Sequence, residues 1–415
     1  MVKSLYDDVL KNYKMSPVET KKLVNQIDVV LKKIKTGLKK VKAEVVLGGS
    51  AAKGTFLKDD FDIDVFVRFD IKQNKGKDIS LLLEKALSGL KFEKIHGSRD
   101  YFHVKSENLN FEIIPVLKIR NCCEAENVTD MSPFHVMWVK KHISAKLKDE
   151  VLLAKLFCKA SGIYGAESYI HGFSGHVLDI LVIYYGSFEK LLKNAVNWKK
   201  KQVIDFHKVY EGKNVLKILN KSKLVSPLII IDPIDAERNA AAALNDEKFV
   251  RFKKIAKLFL KKPCEKFFVK EKTSVEGLKK KYSKDDLFVF NVKALEGKED
   301  VVGSKIMKAF NYMKKQLELN DFDVKANWEF DKKENAMLWF VIKKGALSKD
   351  KEHIGPPLKV KKAVIAFKKK HKKVYERKGR MYAKIARDYR QSKKCLEFLI
   401  KDKYVKEKVK KISFV

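Results

Sequence analysis

The sequence predicts an α+β fold of several domains, with a mixed sheet and helices at the N-terminal end and helical and α/β parts behind it. Three observations carry this. The chain has 415 residues, 45% of them hydrophobic, which is too long for one ordinary core and apolar enough for two to four. Its apolar spacing runs from helical to alternating, back to helical, and to alternating again. Lys and Arg number 90 against 52 Asp and Glu, a net charge of +38, an excess that a polyanionic partner relieves. A lysine-rich habit of composition would produce the same number, so charge alone does not choose.

In order along the chain, Leu23, Ile27, Val30, Leu31 and Ile34 form one helical stripe before about Lys40. From Ala43 to Lys118 the runs EVVL, DIDVFVRF, YFHVK and LNFEIIPVLKI read as strands, with KDISLLLEKALSGL as a helix between them. Residues 132–260 are mainly helical in period, including VLLAKLFCKA and DAERNAAAALN. Beyond Pro263, DLFVFNVKA, a helix over Ser304–Leu319, KANWEF and AMLWFVIKK read as a strand–helix–strand–strand body. After HIGPPLKV, Lys361–Phe414 reads as a helical tail dense in lysine. The expected division is a head over 1–145, a helical neck over 146–262, an α/β body over 263–347 and a basic tail over 348–415.

Cys122, Cys123, Cys158, Cys264 and Cys395 form no CxxC pair, and their odd number argues against a disulfide framework or a zinc ribbon. The most apolar stretches are far shorter than a bilayer span; Val177–Tyr185 is interrupted by Asp179. The N-terminus carries acids where a signal sequence needs an apolar core. A reducing, cytoplasmic setting is the expectation.

The segment LGGSAAKGTFLKDDFDIDVFVRF holds the chemistry. Gly48 and Gly49 turn the chain after a strand, and glycine lets backbone N–H groups approach a phosphate. Gly49, Ser50 and Lys53 lie in that turn. A tight strand-to-helix connection without a ligand has the same signature. Asp62 and Asp64, two apart on a strand, put both carboxylates on one face. Like charges so placed repel unless a cation neutralises them, and such oxygen donors suit Mg²⁺; solvated acids on an edge strand are the plain alternative. Glu112, alone in the apolar run LNFEIIP, would complete the trio that two-metal phosphoryl transfer uses, or would simply face solvent.

GGS, then DID, then a strand carboxylate before a proline resembles the polymerase-β-type nucleotidyltransferase superfamily. SPFHVMWVKKHI, KLFCKASGIYGAESYIHGFSGHVLDILVIYYGSF, IDPIDAERNAAAAL and the late GPP with YERKGRMYAKIARDYR are similar, in order and spacing, to the archaeal-type (class I) CCA-adding enzymes. The likeness spans nearly the whole chain. It implies a polymerase-β-like catalytic head and template-independent addition of C, C and A to the 3′ end of tRNA from CTP and ATP, with release of pyrophosphate.

The resemblance implies Mg²⁺ ligands at Asp62, Asp64 and Glu112, triphosphate contacts from Ser50, Lys53, His135, Lys155 and Tyr164, and base recognition near Arg238. Read without it, His135 and Tyr164 are ordinary half-buried residues, Lys155 a helix charge and Arg238 an ion-pair partner. Three positions depart from the family pattern. Glu112 stands where Asp is expected, Lys53 where Arg is common, and Arg99 where the family shows a His, so no role passes to Arg99.

In the tail, Lys368, Lys369, Lys370, Lys372, Lys373, Arg377, Arg380, Arg387 and Arg390 are the expected grip on the acceptor stem and T arm, by charge and shape. A solvated helical face is the plain reading of these runs. The resemblance also leaves a homodimer open. Two other functions remain at this point: a poly(A) or oligoadenylate-forming relative sharing the head chemistry, and a non-catalytic RNA-binding protein in which Glu112 marks decay of the trio.

Overall fold

The computed structural model describes residues 2–39, 41–58, 62–271 and 273–415. It divides into two compact units, 1–271 and 272–415. Lys40, the end of the first helical stretch, and residues 59–61 ahead of the DID strand lie outside the described residues.

The first unit opens with α1 (Val2–Tyr13) and α2 (Pro17–Gly37). Ser16 and Glu19 make a reciprocal capping box at the start of α2, with Pro17 in the first turn, so two otherwise orphaned N–H groups are satisfied. Helix α2 buries Leu23, Ile27, Val30 and Ile34, the stripe read from spacing. There follow β1 (Ala43–Leu47), α3 (Gly49–Lys53), β2 (Ile63–Asp70), α4 (Ile71–Asn74), α5 (Ile79–Ala86), β3 (Phe92–Ile95), β4 (Tyr101–Ser106) and β5 (Leu109–Lys118). The sheet order is β1-β2-β5-β4-β3. Among the described residues of this sheet, β2 and β5 run parallel, with Asp64 opposite Glu112, and the other pairs run antiparallel, so the sheet is mixed.

Alternation divides its faces. Ile63, Val65, Val67, Phe69, Phe111 and Ile113 enter a core with α2, each burial stabilising by roughly 1.5–3 kcal/mol. Phe66 and Val116 face the other way, against Val136. That side is covered by α6 (Ser132–His142), followed by α7 (Ala145–Ala160), α8 (Gly175–Tyr185), α9 (Phe188–Ala195), β6 (Gln202–Ile204), α10 (Val215–Ile218), β7 (Leu228–Ile230) and α11 (Asp246–Lys261). Phe157, Phe188, Phe259 and Phe268 build an aromatic centre here, Phe157 and Phe188 meeting edge-on at 5.4 Å.

Two readings of this region are corrected. The stretch 199–245 is not helical in the main: β6 pairs parallel with β7, and DAERNAAAALN is a run of turns. The Asn239 side chain accepts from the N–H groups of Ile230 and Ala241 and donates to the carbonyls of Lys223 and Leu228. One side chain thereby satisfies four backbone groups and ties this segment to β7 and the loop before it, and this overrides the alanine-rich propensity.

The second unit holds α12 (Val275–Lys281), β8 (Asp286–Lys293), α13 (Glu299–Leu319), β9 (Val324–Phe330), β10 (Asn335–Ile342), β11 (Asp350–Pro357), α14 (Lys361–Lys370), β12 (Val374–Arg377), β13 (Arg380–Ala386), α15 (Ser392–Leu399), α16 (Lys403–Lys406) and β14 (Lys411–Phe414). Sheet β14-β8-β10-β9 packs on α13 through Phe290, Phe340, Ile306 and Met313. The tail is therefore not wholly helical, as its lysine spacing suggests. Lys378 and Gly379 both take positive φ, 50° and 72°, between paired Arg377 and Arg380. That two-residue turn folds β12 onto β13, and Met381 and Ala383 close over Phe367 of α14. Among the described residues no helix is long and apolar enough to cross a membrane.

Candidate functional site

Strand β1 ends at Leu47, and the chain turns through Gly48 and Gly49 into the single turn α3. The Gly48 N–H donates to the carbonyl of Asp64 at 2.7 Å, which fastens the turn to β2. Gly49 has φ of +53°, and a Cβ there would meet Oδ2 of Asp64 at 1.6 Å. Only glycine fits, for conformation and for space. With so short a helix the dipole adds little, and the turn's contribution is close approach of backbone to the carboxylate.

Asp62 lies exposed just ahead of β2, and Asp64 is half-buried on it. The Asn110 amide donates to Oδ1 of Asp62 at 3.3 Å. Glu112, in register with Asp64, is 3.1 Å from Nε2 of His103. Burial pushes the Asp64 carboxyl up to about 7, with the charges of Glu112 and Asp62 adding to the rise and Lys53 opposing it. The glutamate hydrogen bond in turn raises the His103 imidazole. Three hard oxygen donors that repel one another fit a divalent cation.

Lys53 is buried and makes a 2.5 Å ion pair with Asp179 of α8, itself fully buried. Lys155 of α7 is also buried; its ammonium donates to the Thr55 carbonyl at 2.7 Å and to the Thr55 hydroxyl at 3.3 Å. Burial brings the Lys155 ammonium down to about 8. Gly175 keeps Tyr164 close to Lys155: a Cβ there would lie 3.0 Å from the tyrosine oxygen and 3.6 Å from Lys155 Cε. Tyr164 carries the Lys159 ammonium over its ring at 4.6 Å.

His135 of α6 and Arg238 meet on one carboxylate. The His135 Nε2 lies 2.9 Å and 3.0 Å from the two oxygens of buried Asp232, and the Arg238 guanidinium donates to Oδ2 at 2.9 Å. Burial would raise Asp232, but His135 and Arg238 hold it at about 2. His176 of α8 packs against His135, ring centroids 4.4 Å apart.

Asp62, Asp64, Glu112, Gly49, Ser50 and Lys53 thus gather at one end of the sheet, with Lys155, Tyr164, His135 and Arg238 on the elements covering it. Arg99 turns elsewhere: it pairs with Asp130 and donates to the Pro115 carbonyl at 3.3 Å, a structural clamp. Sequence reading did not single out His103, Asn110, Thr55, His176 or Asp232. Asp179 was noted only as a charge inside the apolar run Val177–Tyr185, and that incongruity was its signal.

In the second unit, Lys368, Lys369, Lys370, Lys372 and Lys373 are exposed. The arginines are more committed. Arg377 binds Glu352 at 2.6 Å and covers the Tyr382 ring, Arg380 donates to the Gly355 carbonyl at 3.1 Å, Arg387 pairs with Asp321, and Arg390 donates to the Leu347 carbonyl at 3.1 Å.

Three family models match in succession: nucleotidyltransferase domain over 27–125, tRNA nucleotidyltransferase, second domain, over 149–269, and CCA-adding enzyme, C-terminal domain, over 286–412. The chain is 38% identical to the CCA-adding enzyme of Nanoarchaeum equitans over 354 residues, 83% of this chain and 84% of that one. It is 31% identical to that of Methanococcus maripaludis, covering 88% and 83%, and 33% identical to that of Sulfurisphaera tokodaii, covering 75% and 71%. Among solved structures, a cytoplasmic RNA terminal U-transferase aligns with a TM-score of 0.50 at 16% identity, over 66% of this chain and 99% of that one. At that identity the likeness shows the fold alone.

Proposed function

The chain belongs to the CCA-adding enzymes, a family that extends the 3′ end of tRNA without a nucleic-acid template, and from that membership we propose how its own residues perform the addition. The reaction joins the tRNA 3′-hydroxyl to the α-phosphate of CTP or ATP as the bond to the leaving pyrophosphate breaks. Asp62, Asp64 and Glu112 would hold divalent ions, Mg²⁺ foremost by the hardness of the donors. When bound, such ions activate the attacking hydroxyl and neutralise charge on the leaving group.

The single observation that carries this reading is the placement of Asp64 and Glu112 side by side on parallel strands, over a glycine that leaves no room for a side chain. Burial raises the Asp64 carboxyl first, and the charges of Glu112 and Asp62 raise it further, an arrangement that a bound divalent cation would relieve. His103 fixes one oxygen of Glu112, so the longer glutamate is held at a definite point.

Lys53 and Lys155 face the triphosphate in this reading. Each ammonium has three donors, and Asp179 or Thr55 occupies only part of that capacity. Ser50 and the Tyr164 hydroxyl supply neutral hydrogen bonds, and His135 completes the set. Arg238 spends one N–H on Asp232 and keeps its remaining donors for the edge of the incoming base. Residues 1–145 are the catalytic head, 146–262 the nucleotide-recognising neck, 263–347 a body, and 348–415 the surface that takes the acceptor stem and T arm, with the cytoplasm as the setting.

The test uses tRNA transcripts lacking CCA, ending after the first or second C, and complete, each given CTP or ATP separately. Ordered addition of C, C and A with pyrophosphate release is expected, and its loss in Asp64→Ala with tRNA binding retained. Runs of A without prior C, or wild-type rates in Asp64→Ala, would overturn the reading.

A further inference from the structure

We propose that His135, His176 and Asp232 form a site for one transition-metal cation of the zinc class, separate from the Asp62, Asp64 and Glu112 group, and that an ion there competes with the nucleotide. One donor atom from each of the three residues lies within 4.8 Å of the others. A tetrahedral zinc shell has bonds of about 2.0–2.2 Å, which places its donors roughly 3.4 Å apart, so binding requires the three side chains to draw together from their present spacing. The fourth position is left for water or a ligand. Two imidazoles and one carboxylate select this class of ion over Mg²⁺, which takes oxygen donors.

The His135–Asp232 hydrogen bond by itself would be an ordinary buried pair. His176 is what that pair does not explain. Among the described residues neither of its buried ring nitrogens has a hydrogen-bond partner, and a buried polar group without a partner is disfavoured. Burial, together with the charges of His135 and Lys53, holds this imidazole down to about 3. Metal binding takes the neutral form of an imidazole.

The surroundings orient the carboxylate as an outer shell does. The N–H groups of Ile234 and Asp235 donate to Oδ1 of Asp232 at 2.9 Å and 3.3 Å, and Arg238 holds Oδ2. The Arg238 charge opposes a cation, and so does the Lys53 ammonium, although Asp179 balances it. The expected affinity is that of a reversible inhibitory site. Competition rests on the nucleotide roles proposed for His135 and Arg238; the cation site does not.

The test is titration of the full-length protein with cobalt(II), followed by absorption and displaced by zinc. One equivalent with tetrahedral d–d bands is expected in the wild type and in Asp64→Asn. His176→Phe and His176→Asn should lose at least tenfold in cobalt affinity while adding CCA at the wild-type rate, with thermal melting verifying their fold. Zinc should raise the apparent KM for CTP in the wild type and much less in His176→Phe. Bands that persist in both His176 variants, or vanish in Asp64→Asn, would overturn the site. Cobalt bound at His176 with no effect on the KM for CTP would overturn the competition, while CCA addition itself is scored without added zinc.

Discussion

Gly49 lies so close against Asp64 that a single added methyl would overlap the carboxylate, its carbon 1.6 Å from Oδ2. Gly49→Ala must therefore move Asp64, the turn, or both, in addition to placing alanine at φ of +53°, which costs about 1–2 kcal/mol. Since displacement of a reacting group by an ångström can cost on the order of 100-fold in rate, nucleotide incorporation should fall at least that far. Filter binding of tRNA, whose expected contacts lie in the second unit, should be unchanged.

The buried Lys53–Asp179 pair joins α3 to α8. Replacing Asp179 by Asn leaves an ammonium buried without its counter-charge, and breaking such a pair costs about 3–5 kcal/mol. A lower urea midpoint in Asp179→Asn is expected. The double variant Lys53→Met with Asp179→Leu should recover most of it, because two apolar groups of similar volume need no partner. Its CTP KM should nevertheless stay high.

These two relationships mark how far the sequence could be read. GGS, the DID spacing and Glu112 were legible because strand period fixes which side chains share a face. That Glu112 would sit in register with Asp64 was not, since it depends on two strands 48 positions apart pairing in parallel. Asp179 and Asp232 were invisible as partners because an ion pair is a tertiary fact. The alanine-rich 235–245 stretch misled for a different reason: propensity describes a solvated helix, whereas the Asn239 side chain ties the stretch to β7 and caps its own Ala241 N–H. In the tail, lysine density hid the Lys378–Gly379 turn.

Lys155 gives a pH signature. Burial lowers its ammonium from 10.5 to about 8. Between those values the unfolded chain holds a proton that the folded chain has released, so stability rises with pH across that window. Below about 8 the buried charge costs roughly 3 kcal/mol. Lys155→Met should thus exceed the wild type in stability near pH 7, by a margin that shrinks toward pH 10.5. Binding runs the other way. The charged form is the one that attracts triphosphate, so the wild-type CTP KM should climb from pH 7 to 9, and that of Lys155→Met should be high and flat.

Asp130 accepts from the N–H groups of Leu117, Glu126 and Asn127 at 2.8, 3.1 and 3.0 Å and pairs with Arg99. Asn in its place turns an acceptor into a donor facing N–H groups, at a buried site. A loss of about 3 kcal/mol or more is expected, measured by urea unfolding. Arg99→His, the residue type the family shows, should destabilise as well while leaving the CTP KM near wild type.

The second unit separates charge that binds from charge that folds. Lys369, Lys370, Lys372 and Lys373 are exposed, whereas Arg377 is held by Glu352 and lies 4.4 Å from the Tyr382 ring centre. Each lysine neutralising a phosphate adds roughly 0.7–0.9 to the slope of log affinity against log salt. Replacing all four by alanine should reduce that slope for tRNA by about 3 while leaving the unfolding midpoint unchanged. Arg377→Ala should do the reverse, lowering stability with little change in slope, because its guanidinium is already engaged. Binding isotherms at four salt concentrations decide the matter: an unaltered slope in the lysine variant would move the tRNA surface away from residues 369–373.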